Sequence, residues 1–393
     1  MKEAVFLQEV KEIQLLKNAL TLLDWDSSTG MPEKSSPFRG EVEGYLTGLY
    51  FERSIGPVIQ EALAYFETRP EELSELGKLV FEKVKEEYAL NKNVPAERMQ
   101  EYVKVLNQAH TDWLKARAAQ DFGLLEETLT KVVAFQKEFI PYWQKEEKTP
   151  YDVLLNQFEP GMTVEKLDQV FDQVKQGIQE IRTVLAEKGT PPRTDFLSRK
   201  MTKEQQRRFV IGVVEQLGYD FSKGRLDDTV HPFMTALNRN DARITTRWEE
   251  NNFSMATFGV IHEAGHGMYE QNFDPKFDFT PLSEGASMGI HESQSLFNEI
   301  IIGSNRAFWQ KQYPFFQECA EGTFDDIAFE DFYASLKETK ASLIRIDSDS
   351  LTYPLHIIIR YEIEKMLFNG SLEVADLPKV WNEKYQEYLG VSP

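Results

Sequence analysis

Apolar side chains recur at helical spacing along most of this chain, and that periodicity restricts the possible folds more than any other feature. In residues 1–24 the set is Val5, Leu7, Val10, Ile13, Leu16, Leu20 and Leu23, the stripe of a helix with one face against a core. The pattern returns near 37–52, 57–68, 71–92, 95–119 and 123–146, and again near 163–188 and 202–217. Gly30, Pro32, Pro57, Pro70 and Pro95 separate the early helices, and Gly189-Thr-Pro-Pro-Arg193 reads as a loop. The texture changes at 220–250, where Gly218, Gly224 and Pro232 punctuate the chain. Residues 242–248, Ala-Arg-Ile-Thr-Thr-Arg-Trp, alternate and are rich in β-branched types, which predicts a strand. Helical patterning then resumes. No repeat, low-complexity tract or Gly/Ser-rich linker divides the chain. The predicted fold is mainly α, one large helical domain over residues 1–393 with a small β-sheet near its middle.

Charge narrows the partners. Lys and Arg number 44 against 64 Asp and Glu, a formal net charge of -20. Such a surface repels phosphate backbones and anionic lipid, so neither nucleic acid nor membrane is an expected partner. The N-terminal residues carry scattered charges rather than the apolar core of a signal peptide. The richest apolar run, Leu355–Ile359, is short and broken by His356. Cys319, the one cysteine, cannot form an intrachain disulfide and is read as a packing residue. These features suit a reducing, cytoplasmic setting.

Within Phe258-Gly-Val-Ile-His-Glu-Ala-Gly-His-Gly-Met lies His262-Glu263-Ala264-Gly265-His266. On a helix, residues four apart share a face, so both imidazoles can reach one metal ion. Neutral imidazole suits zinc, and a zinc-held water ionises near neutral pH, with Glu263 beside it as catalytic base. The apolar lead-in through Phe258, Val260 and Ile261 predicts a buried helix, where unpartnered histidines and a glutamate are costly. Gly265 and Gly267 waste helix propensity unless something approaches closely. A third protein ligand is needed. No histidine follows at short spacing, and the candidates are the adjacent His291 and Glu292 on a second helical segment. A carboxylate is the commoner partner of this histidine pair.

Further segments occur in order: His231-Pro232-Phe233, Asp241-Ala-Arg243-Ile-Thr245, His291-Glu292-Ser293-Gln294, and Arg345-Ile-Asp-Ser-Asp349 running into Leu351-Thr-Tyr353-Pro-Leu-His356. With the histidine motif and Trp25-Asp26 near the start, they make the chain resemble the thermostable carboxypeptidase (M32) family of metallocarboxypeptidases over essentially its whole length. The resemblance implies a mostly helical fold with a deep groove, a homodimer, and removal of single residues from peptide C-termini, and the strand reading puts the small sheet near the active site. It implies zinc, with cobalt as an alternative, held by His262, His266 and Glu292. Two departures stand out. Asp349-Ser350 replaces the family's Asp-Glu, and the last motif, Gly-x-x-Gln-Asp-x-His-Trp, is absent because the chain stops at Pro393. A weakly active chain, prone to unfold or associate, is the expectation from that absence.

A carboxypeptidase must grip a free carboxylate, which a guanidinium fork does best. Arg243 and Arg345 are the candidates, as both sit in family segments, with Arg247 and Arg360 behind them. His231 is a candidate hydrogen-bond donor in the groove, and Tyr353 or His356 a stabiliser of the tetrahedral oxyanion. His356 is more readily read as a core residue. Two alternatives stand beside the exopeptidase: an endo-oligopeptidase of similar fold, which needs no carboxylate-binding arginine, and an inactive metal-binding fragment.

Overall fold

The computed structural model describes residues 1–345 and 348–392. Its helices, in chain order, are α1 (Glu3–Thr29), α2 (Ser36–Ser54), α3 (Pro57–Phe66), α4 (Glu75–Lys92), α5 (Ala96–Ala119), α6 (Gly123–Trp143), α7 (Pro150–Phe158), α8 (Val164–Lys188), α9 (Lys203–Leu217), α10 (Phe253–Gln271), α11 (Met288–Leu296), α12 (Arg306–Ala320), α13 (Phe329–Ser335), α14 (Tyr353–Phe368) and α15 (Leu377–Leu389). The strands are β1 (Leu226–Asp228), β2 (Met234–Asn238) and β3 (Asp241–Thr246). The expected helices are present, and the expected strand is β3. Helix α7 lay outside the periodic reading because it is only nine residues long. Its start is nonetheless encoded, in the reciprocal capping box of Thr149 and Asp152 with Pro150 at the first helical position.

The contacts gather into two compact units: Met1–Tyr88 with Arg193–Leu336, and Ala89–Pro192 with Lys337–Pro393. Each unit is assembled from two separated stretches, so no linker marks the division.

The first unit holds two apolar cores. Phe6, Val10, Ile59, Phe66 and Phe81 join α1, α3 and α4. A larger cluster joins α9, α10, α12 and α13 around Phe209, Phe253, Trp309, Phe316 and Phe332, whose rings meet edge-on, tilted or stacked. Helix α9 is pinned at its start by the Thr202–Gln205 capping box and stopped at Gly218, which takes the left-handed conformation at φ 114°. The sheet has the order β1-β3-β2. Central β3 runs parallel to β1 and antiparallel to β2, with Ile244 opposite both Leu226 and Met234. Ala242 and Ile244 are fully buried, and β3 packs on α10. The sheet thus backs the helix that carries the two histidines.

In the second unit Leu355, Ile358 and Ile359 of α14 and Tyr385 and Leu389 of α15 pack with Val133 of α6 and Ile178 of α8. Among the described residues no helix is long and apolar enough to cross a membrane.

Candidate metal centre and active site

Helix α10 buries Phe253, Ala256, Val260, Ile261 and Ala264, which leaves His262 and His266 on the half-buried side. Two glycines let neighbours approach. A methyl group at Gly265 would lie 2.7 Å from the Gln294 carbonyl oxygen and from the Ser295 Cα, so α11 crosses here in near backbone contact. A methyl at Gly267 would lie 2.7 Å from the Tyr219 ring. The glycines flanking His266 are therefore explained by a helix on one side and a buried tyrosine on the other. Helix α11 is capped by the Ser287 side chain and runs into a π-helical turn, Phe297–Ile302. Such turns recur at functional sites.

The close crossing brings Glu292 over the histidines. Its Oε2 lies 3.6 Å from His262 Nε2 and 3.3 Å from His266 Nε2. Ligand atoms about 2.0–2.2 Å from a tetrahedral ion sit roughly 3.3–3.6 Å from one another, so these three donors fit a zinc-class ion. The other ring nitrogens are engaged. His262 Nδ1 is 2.8 Å from Glu299 Oε2, and His266 Nδ1 is 2.6 Å from His291 Nδ1. His291 Nε2 in turn meets Glu270 Oε1 at 2.8 Å. His291 therefore lies behind His266 rather than beside Glu292. Glu299 and Glu270 were not singled out in the sequence, although Glu270 extends the four-residue spacing of His262 and His266 by one more turn.

Glu263 is 8% exposed. Burial pushes its carboxyl up to about 7, with His262 opposing the rise and Glu292 and Glu299 adding to it. A cation beside it favours the ionised form. Glu292 is held below the ordinary carboxylate range, first by the His266 ring beside it and against its own burial. The carboxylate thus stays charged where a cation would sit.

Each candidate arginine has a partner of its own. Arg243 makes a two-pronged pair with Asp241, 2.8 Å at each prong, and covers the Trp25 ring at 4.4 Å. The fork expected to take a substrate carboxylate already holds one, and the N-terminal Trp25 segment is joined to β3 by that stack. Arg247 pairs with Glu249 at 3.0 Å. In the second unit Arg345 donates one Nη1 bond, 2.8 Å, to the Tyr353 hydroxyl. Arg360 binds the His356 carbonyl oxygen at 2.8 Å and lies over Trp381. His231 is exposed on the turn before β2. His356 is fully buried, with Nδ1 3.1 Å from the Tyr385 hydroxyl, which agrees with its reading as a core residue. Cys319 is also fully buried.

The family model for the carboxypeptidase Taq (M32) metallopeptidases matches residues 5–393. The chain belongs to this family. It is 45% identical to carboxypeptidase 1 of Bacillus subtilis over 391 residues, covering 100% of this chain and 78% of that one. It is 34% identical to thermostable carboxypeptidase 1 of Thermus thermophilus, with 98% of this chain and 77% of that one covered. The crystal structure of the M32 carboxypeptidase from Deinococcus radiodurans superimposes with a TM-score of 0.94 at 33% identity, covering 98% of this chain and 77% of that one. This M32 protein is accordingly a metallocarboxypeptidase, a peptide hydrolase, and its family membership implies a divalent metal.

Proposed function

We propose that this chain removes single C-terminal residues from peptides with a zinc-class ion, zinc or cobalt, held by His262, His266 and Glu292. The observation that carries the ligand assignment is the convergence of two Nε2 atoms and one carboxylate oxygen at 3.3 and 3.6 Å, with both Nδ1 atoms turned to other partners. When bound, the ion supplies Lewis acidity to the scissile carbonyl and lowers the pKa of water. Glu263, one residue along α10 from His262, takes the proton of the attacking water and returns it to the leaving amine. Glu299 accepts the Nδ1 proton of His262 and so keeps that ring's Nε2 lone pair available. Arg243, forked onto Asp241, and Arg345, bonded to the Tyr353 hydroxyl, are the candidates for the substrate's terminal carboxylate. Tyr353, tied to Arg345, would steady that guanidinium. His231 on its exposed turn remains a candidate groove donor. A homodimer is proposed from the family resemblance, and a cytoplasmic location from the unpaired Cys319 and the acidic composition.

The test uses one peptide as free acid and as C-terminal amide, with wild type and Glu263→Gln. Amidation should cost on the order of 2–5 kcal/mol in kcat/KM, since the arginine loses its partner. Glu263→Gln should keep its metal and lose turnover by about 10²–10⁴. Equal rates on acid and amide would establish the endo-oligopeptidase instead.

A further inference from the structure

We propose that His291 and Glu270 are a positioning pair for His266, fixing through two linked hydrogen bonds the ring tautomer that presents Nε2 to the metal. The proposal rests on the reading of His262, His266 and Glu292 as ligands. Its starting point is the 2.6 Å separation of His266 Nδ1 and His291 Nδ1. Two imidazole nitrogens at that distance share one hydrogen, so one donates and the other accepts. The far end of the chain decides which. Glu270 is 6% exposed, and an ionised carboxylate only accepts. When His291 carries a single hydrogen, the Glu270 Oε1, 2.8 Å from His291 Nε2, holds it on Nε2. His291 Nδ1 is then a lone pair, His266 Nδ1 must donate to it, and His266 Nε2 is left unprotonated. The opposite order would put a hydrogen on His266 Nε2, aimed at Glu292, and close that position to a metal.

The packing shows a seat built for the His291 ring. A methyl group at Gly285 would lie 2.6 Å from His291 Cδ2. Tyr269 stands edge-on to the ring at 5.2 Å, and the His266 ring lies 4.6 Å away on another side. Glu270 is on α10, four residues after His266, so the terminal acceptor is tied to the same helix as the ligand it serves. The arrangement also makes the two histidines unequal. His262 is backed by a carboxylate directly, His266 by a carboxylate through an intervening imidazole.

The test measures zinc affinity of the 393-residue chain by chelator competition, together with the visible absorption of its cobalt-loaded form and the melting temperature of the metal-free form. His291→Leu removes both bonds and should weaken zinc binding by about 10–100-fold and alter the cobalt bands. His291→Gln can accept from His266 with its carbonyl and donate to Glu270 with its amide, and should recover most of the affinity. Glu270→Gln leaves the imidazole but frees the hydrogen order, and should weaken binding in the same direction without unfolding the metal-free chain. Wild-type affinity and cobalt bands in both His291→Leu and Glu270→Gln would overturn the proposal. Metal loss in His291→Leu as complete as in Glu292→Ala, without recovery in His291→Gln, would make His291 a ligand and overturn it equally. The underlying ligand reading fails separately, if Glu292→Ala keeps full affinity.

Discussion

His356 titrates in a setting that couples protonation to stability. Full burial, then the positive charges of Arg360 and Arg345, lower its pKa to about 4. In the unfolded chain it titrates near 6.5. Between these values the unfolded state binds the proton and the folded state does not. The stabilisation is complete above about 6.5 and is lost as pH falls toward 4, roughly 3 kcal/mol over the full window. His356→Leu should therefore flatten the fall in melting temperature between pH 7 and pH 5, measured against wild type by calorimetry. An unchanged slope would remove His356 from the acid sensitivity. At this scale the sequence was legible where chemistry followed spacing along one helix. That His262 and His266 share one helix face needed only the four-residue rule. The pairing of Arg243 with Asp241 was not read, because a motif position says nothing about an occupied fork. Asp241 and Arg243 are two apart on a strand and share a face, so the pair was in principle visible.

The elements that build the site are α10 and α11, and their distance is set by a residue without a side chain. Gly265→Ala would place a methyl 2.7 Å from the α11 backbone, and backbone cannot swing aside as a side chain can. Overpacking of this kind typically costs about 1–3 kcal/mol. Because Glu292 rides on α11, the same shift should weaken metal binding at least tenfold, measured by chelator competition. A variant with a lower melting temperature and normal metal affinity would show that the crossing and the site are independent. The long helices were legible from apolar periodicity. Helix α11 was seen only as a helical segment, since nine residues followed by a π turn give little periodic signal. Glu299 escaped notice for the same reason: its place depends on that turn, which no period encodes.

At the scale of the molecule the first unit carries every proposed ligand, and the second carries Arg345, Tyr353 and His356. Anything that binds only the folded site stabilises it by mass action. Chelation should therefore raise amide hydrogen exchange in α10 and α11 and leave α14 and α15 nearly as protected as before. Equal loss in both sets of helices, read by mass spectrometry, would show that the units open together.

The interleaving of the units also dictates an order of events during synthesis. The buried residues of each core in the first unit come from nearly contiguous sequence, Phe6 to Val84 in one and Phe196 to Phe332 in the other. Each can close soon after its own residues leave the ribosome. The second unit has no such option, because Val133 and Ile178 await Leu355, Ile358 and Tyr385. At 5–20 residues per second that delay is roughly 10–40 s. During it α5 to α8 are present without the two helices that complete their core, and apolar surface on them is open to chaperones or to neighbouring nascent chains. The unit that carries the proposed ligands thus closes first, and the vulnerable interval in biogenesis belongs to the other unit.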